Sequence, residues 1–200
     1  MATTNEQPAT AERYVPGTGE RDRHTLVAIV NDRPGVLNRV ASLARARNFN
    51  IESLTVGHTE RPGISRMTIT LNGDAFAVEQ MTRQLQRLVD VVTVTSLPRE
   101  GSVRHELALI KVAAPAARRD DVLKVAELYK ARIVDLGDDT LIVEHAWTEQ
   151  DIDALIGLLA AFGIREMVRT GAVAMGRGAS VIEIDGILRS GIVPAVPANR

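Results

Sequence analysis

The chain has 200 residues, of which 45% are hydrophobic, 24% are charged and only 3% are aromatic. This composition is ordinary for a globular protein and allows one domain or two small ones, with a core of aliphatic side chains. A formal net charge of −1 argues against a general nucleic-acid binder, and the absence of cysteine excludes disulfides, thiol nucleophiles and thiolate metal sites.

Residues 1–23 show no hydrophobic periodicity and are rich in Thr, Glu, Gly and Pro, which predicts a disordered N-terminal extension. The extension lacks the apolar stretch of a secretory signal. No apolar run in the chain approaches the roughly 20 residues that span a bilayer. The sequence therefore predicts a cytoplasmic protein with no membrane partner.

The pattern from residue 24 to residue 98 predicts one β-α-β-β-α-β unit, the ferredoxin-like order of elements. Apolar residues at helical spacing predict its helices, and β-branched runs predict its strands. Strict alternation in residues 65–71 predicts a strand with one buried face. The predicted elements are strands at 24–30, 51–58, 65–71 and 91–97, and helices at 35–48 and around 78–88.

The same order of elements repeats from residue 104 to residue 178, after a linker at 98–103. We therefore predict an α+β protein with two tandem ferredoxin-like domains. Residues 179–200 are predicted to form a flexible tail, with docking of residues 181–192 as the alternative. The predicted elements of the second unit are strands at 105–113, 132–136, 140–146 and 164–175, the last bent at Gly171, and helices at 120–130 and 151–162.

Each predicted unit has helices on one face of its sheet only. The opposite face and the strand edges need a cover, and the usual solution is pairing with a second copy of the chain. The sequence therefore predicts a homodimer.

The loop NDRPGVL after the first predicted strand is the first candidate for a binding site. Pro34 presets the backbone for the start of a helix, and Gly35 lets a ligand approach closely. The amides of Gly35, Val36 and Leu37 are then free donors that suit a carboxylate, and Asp32 beside them suits an ammonium group. The loop indicates a site for an amino-acid zwitterion; the alternative is that Asp32 only caps the helix.

A second candidate, Asn50, lies at the head of the next predicted strand. Its amide side chain offers both a donor and an acceptor, so it suits a ligand's carboxylate and ammonium across a dimer interface. Asn48 nearby needs only its ordinary role in a turn that leaves a helix.

No residues of the sequence have the spacing of a catalytic or metal site. The histidines lie in or at the ends of predicted strands, without the pairing that binds metals. The serines lack a nucleophile elbow, and no helix follows the glycines of GAVAMGRG. We therefore predict no catalytic residue, metal or cofactor in this chain. The histidines are His24, His58, His105 and His145.

Several segments resemble known proteins. DRPGVLNRV, residues 32–40, resembles the effector loop of the ACT domain family of amino-acid-sensing modules. NIESLTV, SRMTI and QLQRLVDV resemble segments of the small subunits of acetolactate (acetohydroxyacid) synthase, and RTGAVAMGRG resembles the close of their second domain. The likeness covers about residues 24–178, and the four segments that resemble these small subunits occur in the right order.

The resemblance implies a regulatory subunit that is no enzyme by itself, in branched-chain amino-acid biosynthesis. Such subunits raise the activity of a separate large subunit, which holds thiamine diphosphate, Mg²⁺ and FAD, and confer feedback inhibition. Their effector is usually valine, with leucine or isoleucine as alternatives, bound where two ACT domains meet. The implied binding positions are Asp32, Gly35, Val36 and Leu37 of one subunit with Asn50 and Ile51 of the other.

This chain departs from the family pattern in two ways. Asp32 stands where the family often has Asn, which changes the charge of the loop. The second unit has Ala114-Pro115-Ala116-Ala117-Arg118 in place of the loop, so we expect no second effector site there.

Three other functions remain as alternatives. A stand-alone amino-acid sensor in gene regulation keeps the fold, but no helix-turn-helix segment precedes residue 30. An RNA-binding protein needs aromatic side chains on its strands, which are almost absent here. A small enzyme with a ferredoxin-like barrel needs a base, nucleophile or metal cluster.

Overall fold

The structure is a computed structural model that describes residues 23–184. Its first unit is a four-stranded antiparallel sheet in the order β2-β3-β1-β4, with two helices on one face. Of the extension predicted at residues 1–23, residues 1–22 lie outside the described residues, and Arg23 belongs to the first strand. The elements are β1 (Arg23–Asn31), α1 (Val36–Ala46), β2 (Ile51–His58), β3 (Ile64–Asn72), α2 (Ala75–Leu85) and β4 (Val91–Leu97).

The core of the first unit lies between its sheet and its helices. Apolar residues at spacings of three and four along each helix face the sheet, as their helical periodicity predicts. α1 contributes Val36, Val40 and Ala44 to this core, and α2 contributes Val78, Met81 and Leu85. The sheet contributes Leu26, Ala28, Val30, Met67, Ile69, Leu71, Val91 and Val94.

The second unit repeats the plan. Its strands follow the order β6-β7-β5-β8, and an additional strand, β9, pairs with the first residues of β5. Its helices also pack on one face, over a core that includes Ile110, Val143 and Leu155. The two-unit α+β fold predicted from the sequence is confirmed. The elements are β5 (Ser102–Ala113), α3 (Arg119–Leu128), β6 (Arg132–Leu136), β7 (Thr140–Trp147), α4 (Glu149–Leu159), a short 3-10 helix (Ala160–Phe162), β8 (Ile164–Arg169) and β9 (Val173–Gly176).

The end of the second unit differs from the prediction of one bent strand at 164–175. The backbone of Gly171 has a φ of 78°, which interrupts the strand. β8 pairs with residues 108–112 of β5, and β9 pairs with residues 102–105 further along the same strand. β5 therefore begins at Ser102, earlier than predicted, because β9 extends its pairing.

The outer face of the first sheet, which points away from the helices, is also buried. The prediction that β3 has one buried face is wrong, since Thr68 is 3% exposed and Thr70 is 5% exposed. Ala174 of β9 and Ile184 pack on this face. The apolar residues that they cover are Val27, Ile29, Ile64 and Leu97, with Ile182 and Val92 at the margin.

Part of this cover comes from the segment predicted to be a flexible tail. Ile184 is 8% exposed and packs together with Ile182 against the sheet. The described part of the tail thus lies on the outer face of the first sheet, and residues 185–200 lie outside the described residues. The uncovered face of the sheet was one reason to predict a homodimer. In the first unit the chain itself covers part of that face.

No helix within residues 23–184 is both long and apolar enough to cross a membrane.

Packing of residues 182–184 predicts a measurable contribution to stability. Replacing Ile184 by Ala should lower the free energy of unfolding by about 2 kcal/mol, because the substitution removes buried methylene groups and leaves a cavity. Val181 is 76% exposed, so Val181→Ala, the matched control, should change it by less than about 0.5 kcal/mol. Urea denaturation of both variants measures the difference, and equal values for the two would show that the segment does not pack.

Candidate functional site

The loop between β1 and α1, residues 32–35, is held by backbone hydrogen bonds at its first residues. The N–H of Asn31 donates to the carbonyl of Asp90 at 2.8 Å, and the N–H of Asp32 donates to the carbonyl of Gly63 at 2.8 Å. Arg39 on α1 forms an ion pair with the buried carboxylate of Asp90. The turn before β4 therefore holds both the end of β1 and helix α1. The turn between β2 and β3 holds the first residue of the loop.

Gly35, and not Asp32, is the N-cap of α1. Gly35 has a φ of 87°, and no side chain accepts a hydrogen bond at this cap. The interpretation of Asp32 as a helix cap is therefore wrong, because the Arg33-Pro34 turn lies between Asp32 and the helix. The half-exposed carboxylate of Asp32 instead lies 3.4 Å from Nδ1 of His58, at the end of β2.

The first turn of α1 presents backbone donors to solvent. Within residues 23–184, the N–H groups of Gly35 and Leu37 have no acceptor, and that of Val36 makes only a long contact of 3.4 Å with the carbonyl of Arg33. Val36 is 4% exposed and contributes its side chain to the core, whereas Leu37 is 48% exposed. Donors at a helix N-terminus with a negative side chain beside them can hold a carboxylate and an ammonium group.

Asn50 and Ile51 lie at the opposite end of the sheet from this loop. Ile51 pairs with Leu71 at one end of β3, whereas His58 pairs with Ser65 at the other end. Since Asn31 pairs with Ile64, the loop is at the His58 end. At about 3.3 Å per residue, the length of β2 separates the two halves by roughly 23 Å. The structure therefore does not bring all predicted site residues together within one chain.

Sequence reasoning missed three residues around the loop. These residues are His58, Arg39 and Asp90. His58 and Asp90 are distant from the loop in sequence, and Arg39 is distant from its partner Asp90. None of the three stood out in the sequence. An Asp in the turn before a strand is ordinary, and only the fold shows that Asp90 is buried. The position of His58 depends on the register of β2, which the sequence does not give.

Two family models match this chain. A model described as an AHAS small subunit-like ACT domain matches residues 26–93, and one described as the small subunit of acetolactate synthase matches residues 105–178. A probable acetolactate synthase small subunit from Archaeoglobus fulgidus is 47% identical over 156 residues, which cover 78% of this chain and 98% of that protein. The chain belongs to the acetolactate synthase small-subunit family.

Two further comparisons agree with this membership. The acetolactate synthase small subunit of Aquifex aeolicus is 45% identical over 166 residues, covering 82% of this chain and 86% of that protein. The crystal structure of the acetolactate synthase small subunit from Thermotoga maritima superposes with a TM-score of 0.75 at 36% identity, covering 79% of this chain and 99% of that chain. The first unit is accordingly an ACT domain.

A cleft of about 490 Å³, lined in part by charged side chains, separates the ACT domain from the second unit. Arg23 on the ACT side forms ion pairs with Glu52 of its own sheet and Glu149 of α4. On the other side, Arg169 binds Glu106 at 2.6 Å and Asp153 at 2.6 Å. The cleft could not be predicted from the sequence, because its residues come from seven separate elements or connections.

Two of the histidines lie against aromatic rings. His105 stacks on Trp147 with ring centroids 5.2 Å apart, and His145 is buried against the edge of the Tyr129 ring. No group of three potential metal ligands occurs among the residues that the structure describes. His145 is notable because its Nε2 is buried without a partner, and burial lowers the pKa of its imidazole below the ordinary value.

The lowered pKa of His145 predicts a dependence of stability on pH. Between that pKa and the ordinary value near 6.5, the unfolded chain binds more protons than the folded chain, so acidification favours unfolding. The free energy of unfolding should therefore fall as the pH drops below about 6.5, and His145→Gln should reduce this acid sensitivity. Urea titrations over this pH range measure the free energy of unfolding of wild type and His145→Gln. His58→Gln, which removes an exposed imidazole, is the control. An equal acid slope in wild type and His145→Gln would contradict the assignment.

Proposed function

We propose that this protein is the regulatory subunit of acetolactate synthase, which binds a branched-chain amino acid between two ACT domains and transmits its presence to a separate catalytic chain. The main support for the proposal is that the site within one chain is incomplete. Backbone N–H donors and the carboxylate of Asp32 lie at one end of the sheet, and the amide of Asn50 lies at the other. Family membership supports the role, since the relatives are small subunits of this enzyme.

Pairing of two ACT domains along β2 would complete the site. β2 is an edge strand, and within residues 23–184 no strand pairs with its outer edge. A two-fold axis through that edge would place the strands of two copies antiparallel. The His58 end of one strand would then lie beside the Ile51 end of the other. Asp32 and Gly35 would thus meet Asn50 of the partner subunit, and the homodimer would hold two such sites.

The chemistry of this composite site suits an amino acid. The effector's carboxylate accepts from the N–H groups of Gly35 and Leu37 at the start of α1. Its ammonium group lies beside Asp32, and the partner's Asn50 offers both a donor and an acceptor. A small apolar side chain packs against the exposed Leu37 and the partner's Ile51. Valine fits this description, and leucine and isoleucine share its chemistry.

The catalytic chemistry belongs to the partner in this proposal. Thiamine diphosphate, Mg²⁺ and FAD would be held by the large subunit, and this chain would raise that subunit's activity in the cytoplasm. Feedback then requires valine to bind the less active state of the complex more tightly than the active state, because equal affinity shifts no equilibrium.

The first test is acetolactate formation by the cognate large subunit, with and without this chain, across a valine titration. We expect this chain to stimulate the reaction and valine to reverse the stimulation. Stimulation without valine inhibition would refute the effector assignment. Absence of stimulation would favour the stand-alone sensor. Parallel titrations with leucine and isoleucine rank the effectors.

A substitution at Gly35 tests the site itself. Gly35→Asp should raise the valine concentration for half-inhibition at least about tenfold, because its carboxylate would face that of the effector and like charges repel. A Cβ added at Gly35 meets no atom within 4 Å, and Asp is among the residues that adopt a positive φ, so the fold should persist.

Gly35→Asn is the matched control, since asparagine has nearly the same shape and tolerates the positive φ but carries no charge. It should retain most of the inhibition. If the Asp variant keeps wild-type inhibition, the site lies elsewhere; if both variants lose it equally, strain rather than charge is responsible.

A further inference from the structure

β2 contacts the second unit as well as the proposed effector site. It begins with Ile51, directly after Asn50, and its outer face lies against the connector between β8 and β9, residues 170–172. The strand therefore contacts both the place where an effector would bind and the unit beyond the ACT domain.

The first link is an ion-pair relay. The register of β2 against β3 shifts between Ile51 and Ser53, which marks a β-bulge around Glu52. Glu52 binds Arg23, and Arg23 also binds Glu149, the first residue of α4. A displacement of the bulge next to the effector residues would therefore displace the N-terminus of α4 in the second unit.

The second link is the connector. Oγ1 of Thr55 donates to the carbonyl of Thr170 at 3.1 Å, and Oγ1 of Thr170 accepts from the N–H of Leu107 on β5 at 3.1 Å. Gly171 lies so close to β2 that a Cβ at this position would be 2.9 Å from Cβ of Ser53. The connector is thus packed tightly between β2 and the central strand of the second sheet.

A third contact, from β3, holds β9, the strand that follows the connector. Arg66 donates to the carbonyl of Ala174 at 2.6 Å, and burial lowers the pKa of its guanidinium. Since β3 pairs with β2 along its length, the two strands move together against β9. The end of the second unit is therefore packed against the outer face of the ACT sheet.

We propose that β2 is the coupling strand of the protein, and that Arg23 and Gly171 are positioning residues through which occupancy of the effector site reaches the second unit. The inference rests on the proposed function, because it assumes that Asn50 and Ile51 bind the effector. An effector that fixes the start of β2 would fix the bulge, the relay and the connector in one arrangement. Packed elements of this kind switch between discrete positions rather than deform continuously.

The test separates binding from coupling. We would measure valine affinity by calorimetry for the small-subunit dimer alone and for its complex with the large subunit, and inhibition in the activity assay. In wild type the two affinities should differ by about 5- to 150-fold, the usual range for linked sites. In Gly171→Ala the dimer should bind valine as wild type does, whereas this difference should fall below about twofold and inhibition should weaken accordingly.

Gly178→Ala is the matched control. Gly178 has a φ of 65°, similar to the 78° of Gly171, but a Cβ there meets no atom within 4 Å. Both variants carry the strain of a positive φ, and only Gly171→Ala presses on β2. Adding Ser53→Gly to Gly171→Ala removes the atom that the new Cβ would meet, and should restore part of the coupling.

Arg23→Gln gives an independent variant if Gly171→Ala does not fold. It removes the cation shared by Glu52 and Glu149, and should reduce the coupling while Arg23→Lys retains more of it. Wild-type coupling in both Gly171→Ala and Arg23→Gln would overturn the inference, as would loss of valine binding to the dimer alone in either. Failure of the wild-type dimer to bind valine would instead refute the proposed function.

Discussion

The arrangement of the two units depends on covering the outer face of the first sheet. This face carries Val27 and Ile29, and burying side chains of this size is worth about 1.5–3 kcal/mol each. Helices cover only the opposite face, so another part of the chain has to supply the cover. β9 does so through Ala174 while pairing with β5. β9 thus supplies part of the cover of the ACT domain, beside Ile182 and Ile184, and fixes the second unit next to it.

Local patterns were enough to predict the element types and their order. β2, β4 and β6 coincide with the predicted ranges, because β-branched runs between turn signals are a local property. The burial of Thr68 and Thr70 was not predictable in this way. Polar residues that alternate with apolar ones indicate an exposed face, and the residues that cover this one lie about a hundred positions later in the chain. The break at Gly171 has the same origin, since the local residue pattern does not show that a strand changes its pairing.

The chemistry of the candidate site was readable, but its geometry was not. The residue types from Asp32 to Leu37 indicate a zwitterion site whether or not Asp32 caps the helix, and only the backbone shows that Gly35 occupies the cap. Nothing in the sequence placed His58 beside Asp32, because that contact depends on the register of three strands. The same register puts Asn50 at the far end of the sheet, so the proposed site is complete only with a second copy.

β2 can report on an effector because each of its surfaces has a different neighbour. The bulge at Glu52 lets Ile51 and Leu54 both face the core while Glu52 reaches Arg23. Its outer face carries Thr55, which binds the connector, and its edge is the proposed dimer contact. An effector at that edge needs to restrain only one strand to act on the core, the second unit and the partner subunit together. Regulation would then require the dimer, since a single chain holds only half of each site.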